Sequence, residues 1–485
     1  MHWRYPLYVV GLLVAFSGLA MALPLLVAVI YQDGTAGIFA VSAGLSVACG
    51  GVLSLALRDR SGNDNAIGPR EGMAIVALGW IGVGLFGALP FWLSGQFGGF
   101  TDAVFESVSG FTTTGSSILA DIESVSKALL FWRSFIQWLG GMGIIVLSLA
   151  ILPFLGVGGM QLYKAEVPSP VPDKLKPRIR DTAMILWKVY AGISAVEVVL
   201  LLFGGMSLYE ALCHAFTTMP TGGFSTNNAS VAGYGSAYLD GVFVVFMLLA
   251  GINFTLHYQM LRGQTLAFWR DAECRFFLGL FAGLTALTTV DLWVGGIYDS
   301  FVSAFRYASF QISSILTTTG YATADYEQWP GMSQSILFLC MFIGGSAGST
   351  GGGMKCLRIM LAFKYCYKEV FSMIHPRAVS HVKMGGKPVP EEVMRSVLGF
   401  LALFMGLFAI SAVLLAATGV DFVTAFGAVA ACIGNIGPGF GTVGPVENFA
   451  HIPVPGKWLL IWCMLLGRLE IYTVIIFLAP EFWRK

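Results

Sequence analysis

Four short stretches rich in threonine and glycine recur along the chain and contain groups that can bind a cation. They are GFTTTGSS at 110–117, MPTGGFST at 219–226, LTTTGYAT at 316–323 and GNIGPGFG at 434–441. Glycine lets a loop turn its carbonyls toward a common axis without a clash from a Cβ atom, and threonine adds a hydroxyl oxygen. A ring of such oxygens can replace the water shell of a monovalent cation. The pattern therefore predicts four similar loops around one ion-binding axis.

One glycine in each stretch serves as a marker for the repeat. The four markers are Gly115, Gly222, Gly320 and Gly437, which lie 107, 98 and 117 residues apart. A degenerate period of about 100 residues is much longer than the 20–50 residues of solenoid repeats. We therefore expect four similar subdomains within one chain.

Composition places the chain in a membrane. Of the 485 residues, 56% are hydrophobic and only 11% are charged, whereas about 25% of the residues of a soluble protein are charged. The eight cysteines occur singly, without a CxxC pair, so we expect neither disulfides nor a metal site. The chain is predicted to be an all-α integral membrane protein without a cofactor.

Each threonine–glycine stretch follows a segment too short to cross a bilayer and lies between two long apolar segments. The short segments are 101–111, 207–218, 299–316 and 421–433, and they are predicted to be re-entrant helices. The long segments are expected at 7–31, 35–57, 72–94, 128–155, 182–204, 239–261, 275–295, from 334 onward, 396–418 and 457–479. The predicted organisation is an N-terminal transmembrane hairpin (1–62) followed by pore repeats at 68–160, 181–265, 271–370 and 391–485.

Basic residues are distributed unevenly between the two sides of the predicted membrane. Most of the 28 Lys and Arg residues lie at the termini and in the connections on the same side. Lys127, Arg133, Arg306 and Lys457 are the exceptions on the opposite side. The positive-inside rule therefore places both termini in the cytoplasm and the four loops toward the outside.

Two further features interrupt apolar segments. A glycine-rich run, IGGSAGSTGGGMK at 343–355, breaks the last segment of the third repeat, where continuous helix is improbable. Arg468 lies inside the final apolar segment, where a charge costs at least about 2.5–3.5 kcal/mol and normally faces the protein interior. The run could also be a kink at a crowded helix crossing, and Arg468 could pair with a carboxylate elsewhere in the chain.

The four loops and the glycine-rich break resemble the Trk/Ktr/HKT superfamily of potassium transporters over essentially the whole chain. This resemblance implies four covalently linked membrane–pore–membrane units, similar to a potassium channel, around a central pathway for K⁺. It implies a selectivity filter formed by Thr113, Thr114, Gly115, Thr221, Gly222, Thr318, Thr319, Gly320, Asn435, Ile436 and Gly437. Plant relatives with serine at the first glycine conduct sodium, so Gly115 favours potassium. The fourth loop departs from the pattern, because Asn435, Ile436 and Pro438 replace its threonines.

The resemblance also implies a gate and partners. The gate would consist of Gly344, Gly345, Gly348, Gly351, Gly352, Gly353 and Lys355, with Arg468 as an electrostatic barrier. Relatives form homodimers and pair with a cytosolic nucleotide-binding subunit of the RCK type, similar to TrkA. The expected location is the bacterial cytoplasmic (inner) membrane.

Two other function classes are weighed against a potassium uptake pathway. A symporter coupling K⁺ to H⁺ or Na⁺ would need an ionisable relay within the membrane, for which Glu197, Asp291 and Glu470 are the candidates. An enzyme would need a nucleophile and a base at membrane depth, and the sequence has no HExxH motif and no GxSxG near a partner histidine. We therefore expect no enzymatic activity, and nothing indicates a nucleic-acid partner.

Overall fold

The structure is a computed structural model that describes residues 3–58, 69–150, 179–378, 380–478 and 480. Nearly all of the regular structure within these residues is α-helical. The helices are α1 (Arg4–Ala20), α2 (Ala22–Tyr31), α3 (Ala36–Leu57), α4 (Pro69–Gly87), α5 (Leu89–Ser94), α6 (Phe100–Phe111), α7 (Lys127–Ala150), α8 (Ile179–Phe203), α9 (Leu208–Thr218), α10 (Ala237–Gly251), α11 (Phe254–Leu261), α12 (Ala267–Arg270), α13 (Ala272–Val294), α14 (Phe301–Leu316), α15 (Gly331–Ile343), α16 (Cys356–Ile374), α17 (Glu391–Ala416), α18 (Phe422–Gly434), α19 (Val454–Arg468) and α20 (Tyr472–Ile475). Strands β1 (Lys383–Met384) and β2 (Lys387–Pro388) form a small antiparallel hairpin.

Helices α1 and α3 pack closely through small residues. The buried residues of α3 include Ser42, Ser46, Gly50 and Ser54, one in every four. A Cβ atom on Gly50 would lie 2.5 Å from the carbonyl oxygen of Gly11 on α1. Spacing of small residues by four is typical of membrane helices whose backbones approach closely. The predicted N-terminal hairpin is therefore held by a small-residue stripe, and α1 also packs against α4.

Four short helices, α6, α9, α14 and α18, end in the interior of the protein. In three of them the side chain before the helix caps its first turn: Ser207 accepts from Glu210 N, Ser300 from Ser303 N and Asp421 from Thr424 N. Such caps satisfy backbone donors that have no partner within the helix. The last turns are buried, so each short helix delivers its threonine–glycine loop to the core.

Two segments predicted as continuous spans are broken, and those predictions were wrong. The expected span at 239–261 is divided into α10 and α11, which meet at an angle of 102°. Asn253 caps α11 by accepting from Thr255 N at 2.9 Å, and Phe254 N donates to Gly348 O at 3.1 Å. The expected span at 457–479 ends as a helix at Arg468, because Glu470 adopts a left-handed backbone conformation with φ of 57°.

The described residues contain six helices that are long and apolar enough to cross a membrane, or seven if the bent pair α10 and α11 counts as one. Large apolar side chains on these helices are exposed, among them Ile30, Val52 and Leu55. Exposed apolar surface on several long helices is typical of contact with lipid. The chain is a multi-pass membrane protein. The glycine-rich run separates α15 from α16, as the sequence predicted.

Candidate functional site

The four short helices end in the same backbone turn. Its central residue has a left-handed conformation in all four copies: Thr113 (φ 51°), Thr221 (φ 58°), Thr318 (φ 63°) and Asn435 (φ 54°). In each copy the N–H of this residue donates to the carbonyl three positions earlier, and the next N–H donates to the carbonyl five positions before itself. This pair of bonds defines the Schellman motif at a helix C-terminus. The sequence repeat is therefore also a repeat of backbone geometry.

Three of these left-handed residues are threonines, which seldom adopt that conformation. A β-branched residue at positive φ is a genuine outlier, and left-handed backbone costs an L-residue roughly 1–2 kcal/mol. Asparagine tolerates the conformation better, so Asn435 fits the fourth position with less strain. Strain of this kind persists at functional sites where the surrounding structure imposes it.

Two residues after each left-handed residue stands a glycine that also has positive φ. These glycines are Gly115 (86°), Gly223 (71°), Gly320 (86°) and Gly437 (106°). A Cβ atom on the first three would overlap a carbonyl oxygen of the following loop: that of Gly222, Thr319 and Ile436, respectively. A Cβ on Gly437 would lie 3.1 Å from the carbonyl oxygen of Thr114, in the first loop. The four loops therefore contact one another in cyclic order and close a ring.

This geometry corrects the alignment of the second loop. The spacing of the markers predicts that Gly222 is equivalent to Gly115, Gly320 and Gly437, but Gly223 is the residue two positions after the left-handed Thr221. Gly222 instead corresponds to Thr114, whose carbonyl oxygen faces the ring from the first loop. In the run PTGG, the threonine rather than the first glycine marks the correct register.

Buried side chains fix neighbouring loops to each other. Ser116 Oγ donates to Gly437 O at 2.9 Å, which joins the first loop to the fourth. Tyr321 OH donates to His214 O at 3.1 Å, which joins the third loop to α9. His214 itself contacts Glu210 O and Ser225 Oγ through its two ring nitrogens. The histidine is thus satisfied by hydrogen bonds within the core.

A buried ion pair connects the first two loops. Arg133 Nε lies 2.5 Å from Glu106 Oε1, and both side chains are almost fully buried. Glu106 also accepts from Ser117 Oγ and Ile118 N, while Arg133 Nη1 donates to Ser225 O at 3.0 Å. Additional hydrogen bonds of this kind offset the cost of burying two charges.

The glycine-rich segment 344–353 lies against the C-terminal ends of three short helices. Thr350 Oγ1 donates to Met219 O at 2.8 Å, and Gly352 N donates to Thr318 Oγ1 at 2.6 Å. A Cβ atom on Gly352 would overlap the carbonyl oxygen of Gly434. Helix C-terminal carbonyls carry partial negative charge. The segment therefore donates hydrogen bonds to oxygen atoms at the ends of the short helices, where a cation leaving the ring would otherwise meet them.

Arg468 contacts the same segment. Its Nη1 donates to Thr350 O at 2.7 Å, and the side chain is buried. Among the described residues Arg468 forms no ion pair, whereas Glu470 pairs with Arg358 at 2.6 Å. Lys355 Nζ donates to Gly351 O within the segment. The interpretation of Arg468 as one half of a buried ion pair has no support in the described part of the chain.

Comparison with known proteins gives one consistent result. The model of the TrkH family, described as a cation transport protein, matches residues 43–485. The chain is 43% identical to the Trk system potassium uptake protein TrkH of Salmonella typhimurium and 42% identical to that of Escherichia coli, over all of both chains. The crystal structure of the potassium transporter TrkH from Vibrio parahaemolyticus superimposes with a TM-score of 0.92 at 38% identity, covering both chains completely. The chain therefore belongs to the TrkH family of cation transport proteins and is a transporter rather than an enzyme.

Proposed function

We propose that the chain takes up K⁺ through a central pore whose selectivity filter is the ring of four loops. The observation that carries this proposal is the closed cycle of contacts in which Gly115, Gly223, Gly320 and Gly437 each face a carbonyl of the next loop. Backbone that is not helical at membrane depth must be buried or line a water-filled cavity. Its carbonyl oxygens then replace the hydration shell of the ion. The relatives named above as potassium uptake proteins support K⁺ as the transported ion.

The proposed gate is the glycine-rich segment with Arg468. A cation leaving the ring meets the carbonyl ends of the short helices, and Thr350 and Gly352 already donate hydrogen bonds there. The guanidinium of Arg468 adds a positive charge to the same place. Opening requires this segment to move away, which frees the oxygen atoms and releases Arg468 from Thr350 O.

The distribution of basic residues sets the proposed orientation of the chain in the membrane, and the membrane potential supplies the energy for uptake. With both termini in the cytoplasm, the loops open outward and K⁺ moves inward down an inside-negative potential, which contributes about 2.3 kcal/mol per 100 mV. The chain needs no cofactor in this scheme. We place it in the bacterial inner membrane as a homodimer, with a cytosolic nucleotide-binding subunit of the RCK type that acts on the gate. The Trk system to which its relatives are assigned by name supports a multi-component assembly.

A symporter coupling K⁺ to H⁺ or Na⁺ is the second candidate, and one observation favours it. Glu197 is buried, and neither of its carboxylate oxygens has a hydrogen-bond partner among the described residues. An unpaired carboxyl group within the membrane is a candidate proton carrier. The other two candidates are already occupied, since Asp291 accepts from Ser333 and Glu470 pairs with Arg358.

The test is the reversal potential of the purified protein in liposomes under opposed K⁺ and Na⁺ gradients, with and without a proton gradient. A value near the K⁺ equilibrium potential supports the pore. Gly115→Ser should move it toward the Na⁺ potential, because a side chain there overlaps the carbonyl of Gly222. Gly205→Ser is the matched control: Gly205 has φ of 92° but open space around it. A reversal potential that follows the proton gradient would contradict the pore and favour the symporter.

A further inference from the structure

One carbonyl of the ring is held by a side chain from outside the loops. The oxygens of Thr114, Gly222, Thr319 and Ile436 face the ring. Gly222 O accepts a hydrogen bond from Gln137 Nε2 at 2.8 Å. Within the described chain, the other three oxygens accept none. The ring is therefore asymmetric in how firmly its oxygens are fixed.

Gln137 and Gly222 are complementary in shape. The carbon and both polar atoms of the Gln137 amide fill the space in which a Cβ on Gly222 would stand. Gly222 does not have positive φ, so its backbone would accept a side chain, and space alone requires glycine. In the other three loops this position carries Thr114, Thr319 or Ile436.

Both polar atoms of the Gln137 amide form hydrogen bonds with the backbone of the second loop. While Nε2 donates to Gly222 O, Oε1 accepts from Phe224 N at 3.3 Å. Gln137 is fully buried, and one helical turn before it Arg133 donates to Ser225 O. Residues four apart lie on the same face of a helix. Helix α7 therefore presents two donors to the backbone of the second loop.

The fourth repeat has a different residue at the position equivalent to Gln137, and that residue cannot donate a side-chain hydrogen bond. Gly140 and Gly467 mark equivalent points, because a Cβ on either would overlap the carbonyl oxygen two residues before the left-handed residue of its own repeat. Three positions earlier, the fourth repeat has Met464 where the first has Gln137. Methionine is close to glutamine in volume but has no amide.

We propose that Gln137 is a positioning residue of the filter, which sets ion selectivity by holding the carbonyl of Gly222 at a fixed place in the ring. A carbonyl oxygen has two lone pairs, so one can accept from Gln137 while the other faces the ion. Fixing one oxygen limits how far the ring contracts around a smaller ion such as Na⁺. This inference rests on the proposed function of the ring as a K⁺ filter.

The test compares Gln137→Met with Gln311→Met in liposomes, using the reversal potential between K⁺ and Na⁺. Gln311 is a matched control, because it is equally buried and donates to the carbonyl of Ala324, outside the ring, at 3.2 Å. Gln137→Met should lower the K⁺ over Na⁺ permeability ratio about fivefold, equivalent to about 1 kcal/mol for one hydrogen bond. Gln311→Met should keep the wild-type ratio. A purely structural role would lower the thermal stability of both variants without changing selectivity.

Gly115→Ser separates failure of this inference from failure of the filter. If Gly115→Ser lowers the ratio and Gln137→Met does not, the role of Gln137 is refuted and the filter stands. If neither variant changes the ratio, both proposals fail. If Gln137→Met does not fold, the question is decided by comparing the K⁺ flux of the single variant Gly222→Ala with that of the double variant Gly222→Ala/Gln137→Ala. The single variant should lose flux through the clash, and the double variant should recover flux with low selectivity; equal loss in both would overturn the proposal.

Discussion

At the scale of single residues, the left-handed threonines and the glycines that follow them decide the geometry of the site. Threonine at positive φ is strained, and hydrogen bonds with the surrounding backbone hold it there. Thr318 Oγ1, for example, accepts from Gly352 N at 2.6 Å. Thr113 Oγ1 is buried without a partner among the described residues. Strain and a buried oxygen without a partner thus occur in the same ring, which supports the filter proposed above.

The corrected register of the second loop gives a residue-scale prediction. Gly223→Ser should lower the K⁺ over Na⁺ permeability ratio as Gly115→Ser does, because its Cβ would overlap the carbonyl oxygen of Thr319. Reversal potentials in liposomes measure this ratio, and Gly205→Ser again controls for left-handed backbone alone. A Gly223→Ser protein that folds and keeps the wild-type ratio would remove the second loop from the filter.

The charge of Arg468 leads to a second prediction at this scale. Arg468→Met keeps the length of the side chain but removes the cation and its bond to Thr350 O. We expect K⁺ flux in liposomes to rise severalfold, since a buried positive charge repels a passing cation. Arg468→Lys retains the charge and should leave the flux close to that of the wild type. An equal rise in both variants would show that shape, rather than charge, closes the pathway.

At the scale of elements, the lengths of the apolar segments are enough to predict the short helices. The segment expected at 207–218 is α9 (Leu208–Thr218), and that at 421–433 is α18 (Phe422–Gly434). Caps such as Ser207 and Asp421 and a loop of small residues mark both ends locally. The bend after Gly251 was missed because its cause is tertiary: Phe254 N bonds to Gly348, almost a hundred residues away.

The stripe of small residues in the N-terminal hairpin supplies an element-scale prediction. Gly50→Leu should lower the midpoint of thermal unfolding in detergent, because its side chain would press into α1 at Gly11 and Ala15. Overpacking of this kind costs typically about 1–3 kcal/mol. Gly51→Leu is the matched control, since a Cβ there meets no atom within 4 Å. Equal loss of stability in both variants would mean that the hairpin is not held by this contact.

At the scale of the whole molecule, the repeat predicts the four loops but not how they meet. Each loop is short, so its own sequence carries the local turn, whereas the ring depends on contacts between residues that are about a hundred positions apart or, where the fourth loop meets the first, more than three hundred. Gln137 illustrates this limit. Its neighbours in the sequence do not distinguish it from any other buried glutamine. What distinguishes it is that its amide fills the space next to Gly222 in the folded chain.

The most direct test of the central claim is to locate the ion. Crystals of the protein grown or soaked with Rb⁺, a heavier substitute for K⁺, should show an anomalous difference peak on the axis between the carbonyl oxygens of Thr114, Gly222, Thr319 and Ile436. The peak should weaken when Na⁺ replaces Rb⁺ and in the Gly115→Ser protein. A well-ordered ring without a peak, or a peak only elsewhere in the protein, would contradict the assignment of these loops as the filter.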